Sequence, residues 1–282
     1  MACDALYQDP IPDKKDIASF YPETYYAYKP PSKKPRSNVE KAVLRYRYGY
    51  SHLDVPTRYK VLARLIPRAR FRDAIPYIEN GRVLDIGCGA GRYLSRLNQF
   101  GWHCEGVEMT KAAVDAAHKA GLSVFHGSLE EANFDDESFD IVHASHLIEH
   151  VVDPKSFMNE VSRILKPGGS CIVRTPNSHA FGLNIFKEKW YANEVPRHLI
   201  MYTPSNLKRL CENSGLTMVK MYLNTNVKLA LDSWDYVIGN RGKPSQKKKL
   251  YKLLAQPYVW LAKLMNKGDE IYAVFTKPNS IH

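Results

Sequence analysis

The chain is predicted to be an α/β protein with a doubly wound, mostly parallel sheet behind a helical N-terminal extension. Three observations carry this. From Arg82 onward, short apolar runs alternate with amphipathic stretches of helical period, the pattern of repeated strand–helix–strand units. The apolar run at 83–86 ends in Gly87-Cys-Gly-Ala-Gly91 and passes into a helix, so the backbone can turn sharply and approach a ligand at a helix N-terminus. The 282 residues are 44% apolar and 24% charged, which suits a globular chain with a sizeable core and excludes a disordered or collagen-like one.

Residues 1–80 read as an N-terminal arm and helices. The arm, 1–37, is rich in Pro and Tyr (Phe20-Tyr21-Pro22, Tyr25-Tyr26, Pro30-Pro31) and lacks helical or strand period, as in an extended lid or packing arm. From 38 to 77 apolar residues recur at helical spacing (Val39, Val43, Leu44; Val61, Leu62, Leu65), broken at Pro67 and Pro76, which predicts two or three helices. Residues 81–282 form the main domain. Its strands are predicted at 83–87, 103–108, 123–126, 140–144, 170–175, 216–223 and 271–275, seven in all. Helices are predicted at 91–100, 111–120 and 154–165, the last opened by Asp153-Pro154, with a further helix from Thr203-Pro204 to about Asn213. A cap, 177–202, and a long insertion, 224–269, interrupt the alternation.

Lys and Arg number 40 against 29 Asp and Glu, a net charge of +11 concentrated in 33–72 and at Lys247-Lys248-Lys249, so an acidic surface or polyanion is a fitting partner. The five cysteines (Cys3, Cys88, Cys104, Cys171, Cys211) are scattered and form no C-x-x-C pair, as expected of reduced thiols in a cytoplasmic protein without a zinc ribbon. No basic region followed by an apolar stretch opens the chain, and no run of about 18 apolar residues occurs, so neither secretion nor a membrane span is expected.

The glycines follow G-x-G-x-G, not the G-x-G-x-x-G of dinucleotide sites, and the next strand ends in Gly106-Val-Glu108, a carboxylate placed to accept ribose hydroxyls. With these residues the chain resembles the class I S-adenosylmethionine-dependent methyltransferases. The match continues through Gly127-Ser-Leu-Glu130, Phe139-Asp-Ile-Val142, Leu147-Ile-Glu-His150, Arg163-Ile-Leu-Lys-Pro-Gly-Gly169 and Thr175-Pro-Asn177. The resemblance implies a Rossmann-like, seven-stranded fold and S-adenosyl-L-methionine as cofactor. It implies that Asp85 anchors the glycine loop near the cofactor's amino group, that Gly87, Gly89 and Gly91 make room for its methionine portion, and that Glu108 holds the ribose. Ser128, Leu129 and Ser145 complete the implied cofactor set. Family members often carry Asp where this chain has Ser128, whose hydroxyl can still accept from an amine.

Methyl transfer requires alignment of an acceptor and, where needed, removal of its proton. The loops after the fourth and fifth strands hold His146 and His198, the two candidate bases. His198 lies in Glu194-Val-Pro-Arg-His-Leu199, which resembles a Pro-Arg-His segment of bacterial methyltransferases of glycan, lipid and small-molecule pathways; the resemblance makes His198 the preferred general base and Arg197 an anchor for an acidic acceptor, while a purely structural role of both in the cap fits equally well. His146-Leu-Ile-Glu-His150 matches the H-x-x-E-H zinc pattern, but Asp153-Pro154 starts a new helix too soon for a protease helix. The segment also resembles the E-x-x-E-H of ubiquinone-pathway O-methyltransferases, which is associated with a divalent cation; here His146 replaces the first acid. No metal is assigned from sequence, and Glu149 and His150 are read as packing and hydrogen-bonding residues.

The expected function is O-methylation of a small molecule, sugar or lipid-linked glycan intermediate. The alternatives are an RNA methyltransferase, which the basic flank motivates but the absence of an Asn/Asp-Pro-Pro-aromatic motif opposes, and a non-catalytic cofactor-binding partner. In the insertion, Leu250, Leu253, Leu254, Leu261, Leu264 and Met265 share a helical face beside Lys247–Lys249, Lys252, Tyr258 and Trp260, with Pro257 as a kink. Such a helix fits peripheral contact with an anionic membrane, a cover for the domain or a homodimer contact.

Overall fold

The computed structural model describes residues 5–12, 20, 30, 35–71, 74–225, 227–238, 253 and 255–279. In chain order they form β1 (Leu6–Tyr7), α1 (Asn38–Arg47), α2 (Tyr59–Leu65), β2 (Arg82–Ile86), α3 (Arg92–Asn98), β3 (His103–Glu108), α4 (Lys111–Lys119), β4 (Ser123–His126) and β5 (Phe139–Ser145). There follow α5 (Pro154–Ile164), β6 (Leu165–Pro176), α6 (Phe181–Phe186), β7 (Ile200–Met201), α7 (Pro204–Glu212), β8 (Thr217–Asn224), α8 (Val227–Val237), α9 (Gln256–Leu264) and β9 (Glu270–Thr276). The seven-stranded sheet has the order β4-β3-β2-β5-β6-β9-β8. Strands β2, β3 and β4 pair in parallel, while β9 is antiparallel to both β6 and β8, so the mostly parallel expectation holds.

Two compact units divide the chain: 24–134 with 138–141, and 1–23 with 135–137 and 142–282. The expected cut at residue 80 is not where they part, because α1 and α2 belong with β2 to β4. Side-chain chemistry explains it. The buried Tyr50 hydroxyl donates to the Ile75 carbonyl (3.1 Å) and accepts from the Trp102 indole (3.0 Å), and its ring lies 4.9 Å from that of Tyr77 and 6.0 Å from Phe100. In the same unit Leu94, Val114, Ala117, Leu122 and Val124 form a core that fastens α3 and α4 to their strands. Helix α1 is capped by the Ser37 hydroxyl, which accepts from the Glu40 amide.

In the second unit α5 starts as predicted, with Asp153 as cap and Pro154 in the first turn, and α7 carries a reciprocal capping box between Thr203 and Asn206. Leu6–Tyr7 pairs antiparallel with Ile200–Met201, a strand within the arm that the sequence does not predict, since two residues are too few to display alternation. The aromatic remainder of the arm (Tyr21, Tyr25, Tyr26) and Cys3 lie outside the described residues. The insertion differs from expectation. It opens with α8, and α9 begins at Gln256 with Pro257 in its first turn, where proline starts a helix instead of kinking it. On α9 the buried residues are Val259 and Ala262, whereas Trp260, Leu261, Leu264 and Met265 face outward; Leu250, Leu254 and Lys247–Lys249 lie outside the described residues. Among the described residues no helix is long and apolar enough to cross a membrane.

Gly106 gives a direct check on this packing. A Cβ there would stand 2.6 Å from Cys88 Sγ and 2.8 Å from Leu94 Cδ1. Gly106→Ala is expected to lower stability by about 1–3 kcal/mol through overpacking, read as a lower urea midpoint at unchanged slope.

Candidate functional site

The first group of site residues belongs to the unit containing β2, β3 and β4. Asp85 is buried at the end of β2. The turn that follows bends back onto β3: the amides of Gly87 and Cys88 both donate to the Val107 carbonyl, at 2.8 and 3.2 Å. Gly87, Gly89 and Gly91 have φ of +68°, +54° and +75°, the left-handed region that disfavours side chains. At Gly91 a Cβ would also lie 2.3 Å from Leu122 Cδ1.

Glu108 Oε2 accepts from the Gly89 amide (2.9 Å) and Oε1 from the Thr110 amide (2.8 Å), so the acid predicted to hold a ribose also fixes the middle glycine of the turn. Each oxygen keeps a second lone pair for a hydroxyl. Ser128 and Glu131 bond reciprocally, amide to carboxylate at 2.7 Å and amide to hydroxyl at 3.2 Å, and Leu129 is buried beside them. Burial, reinforced by the charges of Asp85 and Glu108, pushes the Cys88 thiol well above its ordinary range and keeps it a neutral lining group. A turn with glycine at every second position, a carboxylate with lone pairs to spare and the neutral Cys88 and buried Leu129 fit S-adenosylmethionine as the sequence implies.

The second group lies in the other unit. Strand β5 ends at the half-buried Ser145, and the next residue, His146, turns the chain at φ +54° with its amide donating to the Arg174 carbonyl (2.8 Å). The His146 ring, 40% exposed, places Nδ1 3.4 Å from Glu149 Oε1 and Nε2 3.1 Å from Glu270 Oε1. Burial works against a charge on this ring, but the two carboxylates outweigh it and raise its pKa to about 10. Glu149 is completely buried. Oε2 accepts from the Thr175 hydroxyl (2.9 Å), while Oε1 has no hydrogen-bond partner among the described residues, the His146 contact being at the edge of range. Desolvation would raise its pKa, yet the cationic His146 beside it holds the carboxyl well below the usual range.

His198 is buried, not turned outward. Its Nδ1 lies 2.7 Å from the Ala192 carbonyl, and Glu194 Oε2 is 3.7 Å from Nε2. Burial lowers its pKa to about 4, so the ring is neutral. His150 Nδ1 meets the Arg197 carbonyl at 2.8 Å, and the two imidazoles meet edge to face at 4.8 Å. Arg197 pairs with Glu194 at 3.1 Å within the cap. Ligand atoms of Glu149, His150 and His198 all fall within 4.8 Å of one another, a set able to hold a cation.

Two further residues escaped the sequence reading. Glu270 joins His146 from the far end of the chain, and Asp269 beside it is a buried hub. Its carboxylate accepts from the Tyr258 and Thr225 hydroxyls and from the Trp190 indole, and its carbonyl accepts from the Asn177 amide (2.9 Å). One signal was present: two adjacent acids opening an apolar strand.

Residues 56–221 match the family model described as a methyltransferase domain. The chain is 32% identical over 154 residues to the ubiquinone biosynthesis O-methyltransferase of Maricaulis maris, covering 50% of this chain and 60% of that enzyme. It is 30% identical over 207 residues to the enzyme of the same name from Hahella chejuensis, covering 65% and 87%. Among solved structures, a SAM-dependent methyltransferase from Archaeoglobus fulgidus superposes with TM-score 0.53 at 21% identity, over 74% of this chain and 92% of that one, which extends the likeness to the fold.

The Asp269 hub is open to direct test. Asp269→Ala is expected to cost about 1–3 kcal/mol for each buried donor left without an acceptor, with Asp269→Asn losing less, as measured by thermal unfolding at neutral pH.

Proposed function

Because the chain belongs to the class I S-adenosylmethionine-dependent methyltransferases, we propose that it transfers the cofactor's methyl group to an oxygen of a small organic acceptor. The cofactor supplies an electrophilic methyl on a sulfonium. The observation that carries this proposal is the glycine turn fixed by Glu108 through Gly89, a ready-made seat for that cofactor. Relatives named for O-methylation in ubiquinone biosynthesis support oxygen as the accepting atom.

Asp85, Gly87, Gly89, Gly91, Glu108, Ser128 and Leu129 are the residues proposed to hold the cofactor. Of the two candidate bases, exposure favours His146 as the group that meets the acceptor, and because Glu149 and Glu270 hold its ring as a cation at neutral pH it serves as an orienting hydrogen-bond donor and not as a proton acceptor. The buried His198 serves within the cap. A hydroxyl presented to the His146–Glu270 pair is aligned by hydrogen bonds for in-line attack, and its proton is released to solvent as the oxygen–methyl bond forms and the sulfur–methyl bond breaks.

Peripheral membrane contact is also proposed. On α9, Trp260 and Leu264 are 63% and 68% exposed and lie one turn apart, next to Leu261 and Met265; α8 exposes Trp234, Val237 and Ile238. Residues 239–255, which join the two helices, contain six basic and no acidic residues, a charge suited to an anionic bilayer.

Three outcomes are expected. Glu108→Ala weakens S-adenosylmethionine binding by about 1.5–3 kcal/mol in calorimetry; unchanged affinity would count against the assigned seat. His146→Ala lowers turnover by up to roughly 10²-fold through lost alignment, with cofactor affinity intact, followed by isotopic methyl transfer into cell-extract metabolites; label entering RNA instead overturns the small-molecule acceptor. The wild type floats with anionic but not neutral liposomes, and charge reversal at Lys247, Lys248 and Lys249 abolishes flotation at low salt.

A further inference from the structure

The cation that the sequence resemblance offers an acidic acceptor, Arg197, is taken up by Glu194 at 3.1 Å within the cap. A different pair of cations lies on the sheet face that carries Glu270. Strands β6, β9 and β8 run side by side in antiparallel register, with Arg174 opposite Tyr272 and Tyr272 opposite Tyr222. Residues directly opposite one another share a face of the sheet, and these side chains stack accordingly. The Tyr272 and Tyr222 rings lie 4.7 Å apart and within 14° of parallel, and the Arg174 guanidinium stands 5.7 Å from the centre of the Tyr272 ring. Lys220, two residues before Tyr222 and so on the same face, brings its ammonium to 5.5 Å from that ring.

The next row along this face contains the proposed acceptor contacts. Glu270 is opposite Pro176 on β6 and Asn224 on β8, one cross-strand pair on from Tyr272. The Asn224 side-chain amide donates to Glu270 Oε2 (3.2 Å), while Oε1 meets His146 Nε2 at 3.1 Å. Burial opposes ionisation of Glu270, but His146 and Arg174 outweigh it and lower its pKa, and the Arg174 carbonyl accepts from the His146 amide at 2.8 Å. Arg174 and Glu270 are diagonal neighbours, a spacing of roughly 7–8 Å that long side chains span. Ligands of open α/β sheets bind beyond the carboxyl ends of the strands, and Arg174 is two residues from that end of β6. Two cations over one ring make a local field that attracts an anion there.

We propose that Arg174 and Lys220 form the anion-binding half of the acceptor site, and that the acceptor is a hydroxylated carboxylic acid. Its carboxylate rests on the two cations while its hydroxyl is held by His146 and Glu270. This inference rests on the acceptor contacts proposed above. A guanidinium meets a carboxylate through two parallel hydrogen bonds, a geometry that an ammonium lacks, so Arg174 fixes direction and Lys220 adds charge. The spacing sets the size of the acceptor: acid and hydroxyl stand roughly 7–8 Å apart, about the reach of one aromatic ring carrying a short acidic arm.

The test uses the full chain saturated with S-adenosylhomocysteine and two probes of one shape, para-hydroxyphenylacetate and its neutral amide, with binding followed by calorimetry. The acid is expected to bind at least about tenfold more tightly than the amide, as charge-assisted hydrogen bonds require, and the preference should shrink with salt. Arg174→Met should bring the acid down to the affinity of the amide while the amide changes by less than about threefold. Arg174→Lys should restore part of the preference, and Lys220→Met should reduce it by a smaller factor than Arg174→Met. A role confined to the sheet would lower both affinities together and leave their ratio unchanged. When cell extract is incubated with isotopically labelled cofactor, the labelled product should be an acid retained on an anion-exchange resin at neutral pH. Equal affinity for the two probes, binding of neither, a preference that survives Arg174→Met, or a neutral labelled product would overturn the proposal. S-adenosylhomocysteine binding by each variant reports that it is folded. The probe ratio is read without methyl transfer, so a failure there is distinct from a failure of the proposed reaction.

Discussion

Taking the Glu149 carboxylate wholly out of water constrains the region after β5 more than any other feature. A buried charge is tolerated only when surrounding groups replace the lost hydration. Thr175 on β6 supplies a hydroxyl, His146 supplies positive charge across 3.4 Å, and the residue's own carbonyl takes the Leu199 amide of the cap. Each compensating group comes from a different stretch of chain. The side chain therefore ties the end of β5 to β6, and the backbone carbonyl of the same residue, by accepting from Leu199, ties this turn to the cap.

Asp269 plays the corresponding part for the insertion. Its carboxylate collects donors from α9, the segment after β8 and the cap, while Asn177 bonds the backbone on either side, through its amide to Asp269 and its side-chain amide to the Gly268 carbonyl at 2.7 Å. Space there is tight enough that a Cβ on Gly182 would fall 2.4–2.6 Å from Trp190, Tyr258 and Asp269 together. Because Glu270 follows directly in β9, the same hub fixes the position of one of the two carboxylates that flank His146.

The strands and the glycine turn were legible because their information is local: apolar runs, turn glycines and helix caps are set by neighbours a few residues apart. Strands β3 and β4 fall where the sequence places them, and the others differ by a few residues at their ends, most in β6, whose Lys166-Pro-Gly-Gly169 start looks like a turn. What was not legible depended on pairing distant segments. Nothing near Glu270 points to His146, and nothing in Leu6–Tyr7 points to β7. Which side of α9 is covered was left open by the sequence, because periodicity shows that a stripe exists, whereas the burial of Val259 and Ala262 decides the covered side.

The bond between Glu108 and the Gly89 amide also bears on how binding proceeds in time. A glycine-rich turn is ordinarily the most entropically expensive backbone to order. Here the turn is held by β3 through Val107 and by the very carboxylate that the ligand would engage, so its disorder is removed when the protein folds and not when the ligand arrives. The turn is held in place before any ligand arrives, the condition called preorganisation. Association should then follow a single bimolecular step whose rate grows linearly with ligand concentration, without the plateau that a slow ordering of the loop would impose.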